Sequence, residues 1–550
     1  MKLFDFRKNS RSLLTLWVLL IAFFTLGIGF PLVCVLFSAK PEDFKFVFTS
    51  EIFKEAMRNT FFECLASSSA AVLIGYIFAY AITKAKIPGK KFFAAIPLIH
   101  LMTPPFVGGL AFILLIGRQG FITKTIFGLD ISLYGFPGLL IAQTLCFFPL
   151  SYLICLQNLL GINQNLEQAA RSMGANNLKV FLTVTLPLSL PGIISSFLFI
   201  AVNVLSDFGN PLIVAGRFRV LAVEIYTQLT GWLNTGKSAV LGITLIIPSV
   251  ILFLLQNSMF KKHSSKIAVG NGALSFKDSS IGKIGDALLT AFVYFISLCV
   301  VLQFVAIIMG SFQKLWGINL EPTLSHIKDV LSGRYSKALG NSILFALISA
   351  LISTLIASFT SYIVHRTDSP LRKTLDSFAQ LPSAIPGTLL GLSILTAAEK
   401  IHFENSAFLI VFAMTIAFLP FSYRIVTQSY SLLKPSLDDG ARSLGANQFH
   451  TFTSIIFPLS IGGILSGFIY AFIRGAGTLS AVIFLVSFNT PLASISIVNL
   501  AEQGDWGKSA SLALILTIIT FSVLAFGTLI LKAFLKNNTV SGEQNAAART

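Results

Sequence analysis

The chain has 550 residues, 54% hydrophobic and only 11% charged, with a mean hydropathy of +0.80. Soluble domains carry about 25% charged residues, so the composition excludes a soluble enzyme and points to a protein that crosses a membrane many times. The net charge of +17 sits in short segments between apolar runs, without the interleaved basic and aromatic residues of an RNA-binding surface, so nucleic acid is not expected as a partner.

Residues 1–11 carry Lys2, Arg7, Lys8 and Arg11, and an apolar run follows near 13–37. That run exceeds the roughly 7–15 apolar residues of a cleaved signal peptide and reads as a retained helix. Further runs near the required length of about 20 residues lie near 61–83, 92–117, 136–158, 189–213 and 238–260. A second set lies near 288–311, 342–364, 375–397, 405–432, 460–486 and 509–533. The expected fold is all-α and integral to the membrane, with about twelve helices in two homologous six-helix halves, 1–260 and 288–535. A polar Gly/Ser-rich linker, 261–287, joins them, and residues 536–550 read as a disordered tail. With the N-terminus cytoplasmic, the cytoplasmic segments hold more than half of the 40 basic residues, which places both termini inside. The five cysteines (Cys34, Cys64, Cys146, Cys155, Cys299) show no metal or disulfide spacing and read as small hydrophobes, so no metal site is expected.

The halves are visible as a repeat. Glu167–Ile193 (EQAARSMGANNLKVFLTVTLPLSLPGI) returns 271 positions later as Asp438–Ile464 (DDGARSLGANQFHTFTSIIFPLSIGGI), with 12 of 27 positions identical. Asn59-Thr60 matches Asn341-Ser342, and Pro104–Gly109 matches Pro386–Gly391, both at an offset of 282. Each repeated polar island reads as a short helix ended by a left-handed glycine, Gly174 or Gly445. Asn176, or Asn447, then caps a second helix that Pro187, or Pro458, is expected to close. Small residues at Ala169, Ala170 and Gly174 leave room for another protein.

These residues carry a family resemblance. Glu167, Ala169-Ala170, Gly174 and Leu186-Pro187 resemble the EAA loop of ATP-binding-cassette (ABC) importer permeases of type I. The second copy is degenerate: Asp438 replaces Glu, Gly440 replaces the first Ala, and Ala441 and Gly445 remain. The resemblance implies coupling helices that dock on separate ATPase subunits, through Glu167, Ala169, Ala170, Gly174, Asp438, Ala441 and Gly445. It further implies two ATPase copies, a periplasmic or lipid-anchored binding protein, the bacterial inner membrane as location, and ATP and Mg bound by the partners with no cofactor on this chain. The segments SDFGNPLIVAG and SAVIFLVS resemble the fused ferric-iron-type permeases, whose similar members are assigned to 2-aminoethylphosphonate, sugar phosphates, thiamine or polyamines. Ferric iron import is the leading expectation. An ion-coupled secondary transporter remains as a different class, because it too uses paired repeats.

One motif is set aside. Gly231–Ser238 (GWLNTGKS) fits the P-loop pattern, but that loop needs a preceding strand and a nucleotide fold. Its repeat, Glu502–Ser509, keeps Gly507-Lys508-Ser509 and loses the first glycine, so Gly-Lys-Ser reads as the start of the sixth helix of each half. The chain is therefore not expected to be an enzyme.

Ionisable groups inside spans are costly and mark function. Asp207 and Arg474 are read as lying within the fifth helix of each half. The repeat aligns Asn203 with Arg474 and Asp207 with Thr478, four apart on one helical face. These four are the candidate translocation pathway, with an Asp207–Arg474 pair between the halves as the alternative. His100 and Glu63 are weaker candidates, Glu63 being read as solvated near a helix end, and Arg424 reads as a cytoplasmic-end anchor. Pro104-Pro105 and Pro382/Pro386-Gly387 are expected to break the third helix of each half.

Overall fold

The computed structural model describes residues 11–129, 133–264, 281–367 and 372–547. Among them, ten helices are long and apolar enough to cross a membrane, or twelve if each of two sharply bent helix pairs counts as one span. A two-stranded antiparallel ribbon, Gln313–Leu315 with Asn319–Pro322, follows the Lys283–Phe312 span.

Packing divides the chain into two compact units, and the division is not that of the sequence halves. The first unit holds residues 41–330 and 497–514; the second holds 1–40, 331–496 and 515–550. The first apolar span, Thr15–Ser38, therefore packs with the later half, and the Lys283–Phe312 span packs with the earlier one. The contacts explain the exchange. In the second unit Phe24 stacks on Phe378 at 6.1 Å and Phe23 meets Phe412 edge-on at 6.0 Å. Gly27 leaves room for Ile416 there, whose Cδ1 would lie 2.8 Å from an added Cβ. In the first unit Tyr294 stacks on Phe93 at 4.4 Å. Gly310 in the same unit backs onto Ala510 and Leu114.

Within each unit the long helices approach closely at small residues, as membrane helices do where no hydrophobic force separates protein from lipid. A Cβ on Gly75 would fall 2.5 Å from Ser151, and Ser196 Oγ donates to Ser151 Oγ at 2.9 Å. Gly467 packs against Ser422, whose Oγ donates to the Gly467 carbonyl at 3.1 Å.

The fifth spans differ from expectation. The first runs Asn177–Leu205, not 189–213, and the second breaks at Ser460 with a 74° bend, then ends at Ala476, not 486. Pro187 and Pro458 do not close the preceding helices. A π-turn (Phe181–Thr185, Phe452–Ile456) precedes each and takes up the missing N–H, so the prolines sit at helix starts. Both third spans are broken as expected. The first stops at Leu101 and restarts at Pro105, and in the second Arg372–Ala384 lies 107° from Gly387–Lys400.

The linker is shorter than 261–287, because helices run to Ser264 and restart at Lys283. Residues 265–280 of it lie outside the described residues, as do residues 1–10 of the basic N-terminus. The last helix continues to Ala547 in place of the tail expected from 536. Its C-terminal stretch has no proline, and Gly542 alone does not stop a helix.

Candidate functional site: two coupling elements and two irregular segments

In the first coupling element the helix Gln164–Ser172 ends in a Schellman turn. Gly174 takes φ +84°, Gly174 N–H bonds the Arg171 carbonyl at 2.9 Å, and Ala175 N–H reaches the Ala170 carbonyl at 3.1 Å. Asn176 Oδ1 then caps the next turn through Lys179 N–H at 2.8 Å. The second copy repeats each bond: Gly445 at φ +81°, its N–H on the Arg442 carbonyl at 2.9 Å, Ala446 on Ala441 at 3.0 Å, and Asn447 on His450 N–H at 2.7 Å.

The expected coupling residues divide by direction. Ala169, Gly174 and Gly445 are exposed, whereas Glu167, Ala170, Asp438 and Ala441 are buried against their own unit. Ala170 thus offers no docking surface. Lys84 Nζ reaches both carboxylate oxygens of Glu167 at 2.8 Å, and Thr185 Oγ1 donates to Oε1 at 2.9 Å. Asp438 pairs with Arg366 Nε at 3.4 Å. Lys84 and Arg366 end the 34-residue helices Glu51–Lys84 and Gly333–Arg366 and stand 282 positions apart, so the ion pair is duplicated with the coupling element. In the second copy the shorter acid faces the longer base. Ile456 stands where Thr185 stood, and Asp438 Oδ1 is left buried without a hydrogen bond. Burial raises the Asp438 carboxyl above its ordinary value, against the pull of Arg366 and Arg442.

Among the polar residues the two elements present outward stand exposed apolar tips. Met173 and its counterpart Leu444 are 82% and 90% exposed, and Leu178 and its counterpart Phe449 are exposed beside them. The sequence reading missed these four. The signal was available, since the repeat keeps apolar residues at two positions inside otherwise polar islands.

Beyond the fifth helix each unit holds an irregular segment, and the Asn59-Thr60 repeat is its clamp. Asn59 Nδ2 donates to the Arg219 carbonyl at 3.1 Å and Leu221 N–H donates to Thr60 Oγ1 at 2.8 Å. In the second unit Asn341 Nδ2 holds the Pro491 carbonyl at 3.0 Å and Ala493 N–H bonds Ser342 Oγ at 2.9 Å. The repeated glycines 109 and 391 let these segments pass: a Cβ on Gly109 would lie 3.0 Å from Asn210 Oδ1, and one on Gly391 would lie 2.8 Å from the Ala481 carbonyl.

The pathway candidates do not share a helical face. The helix ends at Leu205, so Asn203 lies in its last turn and Asp207 lies past it; Arg474 and Thr478 straddle the helix end at Ala476 in the same way. The backbone leaves the helix there and enters the irregular segment, which the four-residue spacing could not reveal. Asn203 Nδ2 is spent on its own helix, on the Phe199 carbonyl at 2.8 Å. Asp207 belongs to a buried cluster in the first unit. Gln143 Nε2 donates to Glu63 Oε1 at 2.6 Å and to Asp207 Oδ2 at 3.1 Å, and Asn210 Nδ2 donates to Asp207 Oδ2 at 2.9 Å. Glu63 is therefore not solvated; it is 3% exposed, well inside its helix. His100 is also buried, edge-on to Phe304. In the second unit Arg474 and Arg424 both lie within electrostatic reach of Tyr470. Neither has a carboxylate within 4.0 Å among the described residues, and Arg474 Nε is buried without a partner. Among the described residues no group of three or more His, Cys, Asp or Glu could hold a metal.

Gly231–Ser238 is a helix start. Asn234 Oδ1 caps Lys237 N–H at 2.9 Å, Ser238 Oγ donates to the Ile225 carbonyl at 2.9 Å, and Lys237 Nζ stands 3.7 Å over the Phe46 ring. Asp505 capping Lys508 at 3.2 Å and Ser509 bonding the Ile497 carbonyl at 2.9 Å repeat the arrangement. No strand precedes it, and the lysine points at an aromatic ring.

Comparison with known proteins accords with this doubled architecture. Residues 71–263 and 353–536 each match the family described as binding-protein-dependent transport system inner membrane component. The chain is similar to the ferric transport system permease protein FbpB of Actinobacillus pleuropneumoniae, 31% identical over 79% of this chain and 65% of that protein. It is also similar to the putative ferric transport system permease protein FbpB 1 of Haemophilus influenzae, 30% identical over 73% of this chain and 65% of that one. The matched part thus spans just under two thirds of these relatives. The molybdenum transport system permease protein ModB of Escherichia coli is 31% identical over 34% of this chain but 88% of its own length, as expected of a protein resembling one half. The duplicated coupling elements, the duplicated clamps and the two family matches agree, and the chain belongs to the binding-protein-dependent inner membrane components, the type I ABC permeases, carrying the family's unit twice.

Proposed function

We propose that the chain is the membrane-spanning subunit of an importer for ferric iron, driven by two copies of a separate ATPase and supplied by a periplasmic or lipid-anchored binding protein. The observation that carries the transport reading is the pair of coupling elements built alike, each presenting an exposed apolar tip, Met173 with Leu178 and Leu444 with Phe449. Exposed apolar groups on rigid, capped turns are what a docking partner buries. ATP and Mg belong to the ATPases, whose closure beneath the two elements would open the pathway outward. Both termini lie on the cytoplasmic side with the coupling elements. Iron rests on the names of the similar ferric permeases and on the oxygen-rich Glu63–Gln143–Asp207–Asn210 cluster, since hard oxygen ligands suit Fe(III).

A second reading, an organophosphate such as 2-aminoethylphosphonate, has one observation in its favour. Arg474 has a buried Nε without a hydrogen-bond partner and no carboxylate within 4.0 Å among the described residues, the arrangement that receives an oxyanion. The test is ATPase activity of the chain reconstituted with its ATPase and binding protein, titrated with Fe(III) and with phosphonate. Stimulation by iron-loaded binding protein, lost on Asp207→Ala, supports iron. Stimulation by phosphonate alone, lost on Arg474→Ala, replaces iron with the oxyanion.

A further inference from the structure

A cavity of about 650 Å³ opens beside the first coupling element, lined by Tyr76, Tyr80, Leu178, Phe181, Ile281 and Leu289 among others, almost wholly apolar. Its position in depth follows from the chain. Tyr76 and Tyr80 occupy the last two turns of the span that ends at Lys84, and Leu289 is two turns into the span that begins at Lys283. Tyrosines so placed mark the level of the lipid headgroups. The far wall is fixed. Tyr80 meets Phe181 edge-on at 5.0 Å, and Asn177 Nδ2 donates to the Ile281 carbonyl at 2.6 Å. Asp286 Oδ1 accepts from Ile281 N–H at 3.1 Å and from Lys86 N–H at 3.2 Å. The rim is basic. Lys86, Lys179 and Lys283 are all exposed, one from each of the three segments that form the cavity.

We propose that this cavity binds an anionic phospholipid, with one acyl chain among Tyr80, Phe181 and Leu289 and its phosphate at the rim lysines. An apolar slot at headgroup depth with a basic rim matches both ends of such a molecule. A basic pocket between spans is how membrane proteins select anionic headgroups. A soluble apolar ligand would leave the lysines without a role. Because Leu178 and Phe181 belong to the coupling element, the lipid stiffens the element's attachment to its unit. The inference uses the proposed function only to place the cavity in the inner leaflet, and binding is testable whether or not iron is the cargo.

The experiment takes the full chain in nanodiscs containing diazirine-tailed phosphatidylglycerol or diazirine-tailed phosphatidylcholine, with cross-links mapped by mass spectrometry. The glycerol lipid should label the peptides holding Tyr76–Tyr80 and Leu178–Phe181 at least about threefold more than the choline lipid, in keeping with electrostatic selection by several lysines. The double variant Lys179→Glu/Lys283→Glu should bring the two lipids level. Leu289→Trp should block labelling by both, while the lipid-facing residues Ile247, Ile251 and Leu254 remain labelled and so report an intact fold. Equal labelling by both lipids in the unaltered chain overturns the proposal. So does no labelling of the cavity, or a preference that survives the lysine reversals.

Discussion

At the scale of single residues, the buried bases Lys84 and Arg366 decide whether the coupling elements stay in place. Removing one partner of a buried ion pair leaves the other unpaired, at a cost of about 3–5 kcal/mol. Lys84 and Glu167 keep about a tenth of their side-chain surface, so the lower end applies. Glu167→Gln should therefore lower the melting temperature of the purified chain, and Lys84→Glu combined with Glu167→Lys should recover part of the loss; a double variant no better than the sum of its singles would refute the pairing. Thr185→Val keeps shape and removes one donor to Glu167, for an expected loss of about 1 kcal/mol. In the second copy Asp438 is raised by burial. Its contribution is full below the ordinary aspartate value near 4 and is lost as pH rises through the raised one. Protease resistance of residues 436–451 should thus be greater at mildly acid pH than at neutral pH, and Asp438→Asn should abolish the difference. The pairing was within reach of the sequence, since the offset of 282 matches Lys84 to Arg366 and that of 271 matches Glu167 to Asp438. What the sequence could not convey was that the acid faces inward, because helical phase about a short capped turn depends on the cap geometry.

At the scale of elements, Gly174 and Gly445 have open space around them, so a side chain there meets nothing; the cost comes from the left-handed backbone, about 1–2 kcal/mol. Gly174→Val should leave the melting temperature of the whole chain nearly unchanged and reduce substrate-stimulated ATPase activity of the assembled transporter. Unaltered stimulation would remove the turn from the coupling route. The capped turns, their glycines and the Gly-Lys-Ser helix starts were legible because each depends on local chemistry at fixed spacing. The irregular segments after the fifth helices were legible only in part. Residues 477–486 are as apolar as the helix before them, and hydropathy does not register where a hydrogen-bond ladder stops, whereas 206–214 carry Asp207, Gly209, Asn210 and Pro211, which do mark a break. Asn59-Thr60 and Asn341-Ser342 appeared as an unexplained match, whose reason is that they bind a distant backbone.

At the scale of the molecule, the packed units exchange the first span of each sequence half, and the earlier unit also takes in residues 497–514. The family match begins at residue 71 and at residue 353, after the exchanged spans 15–38 and 283–312, so the repeat holds no information about where those spans pack. A Gly27→Cys/Ile416→Cys pair in a background without native cysteines should cross-link on oxidation, and failure to do so would return the first span to the earlier half. The 34-residue helices Glu51–Lys84 and Gly333–Arg366 join several of the features above. Each carries at one end the base that grips a coupling element. About 25 residues earlier, a distance of roughly 37 Å at about 1.5 Å per residue, it carries the amide that grips an irregular segment. Were an ATPase bound at one end and cargo at the other, a thermodynamic cycle through the helix would demand that each change the other's affinity by the same factor. A loaded pathway would then announce itself across the membrane through a single helix, twice over.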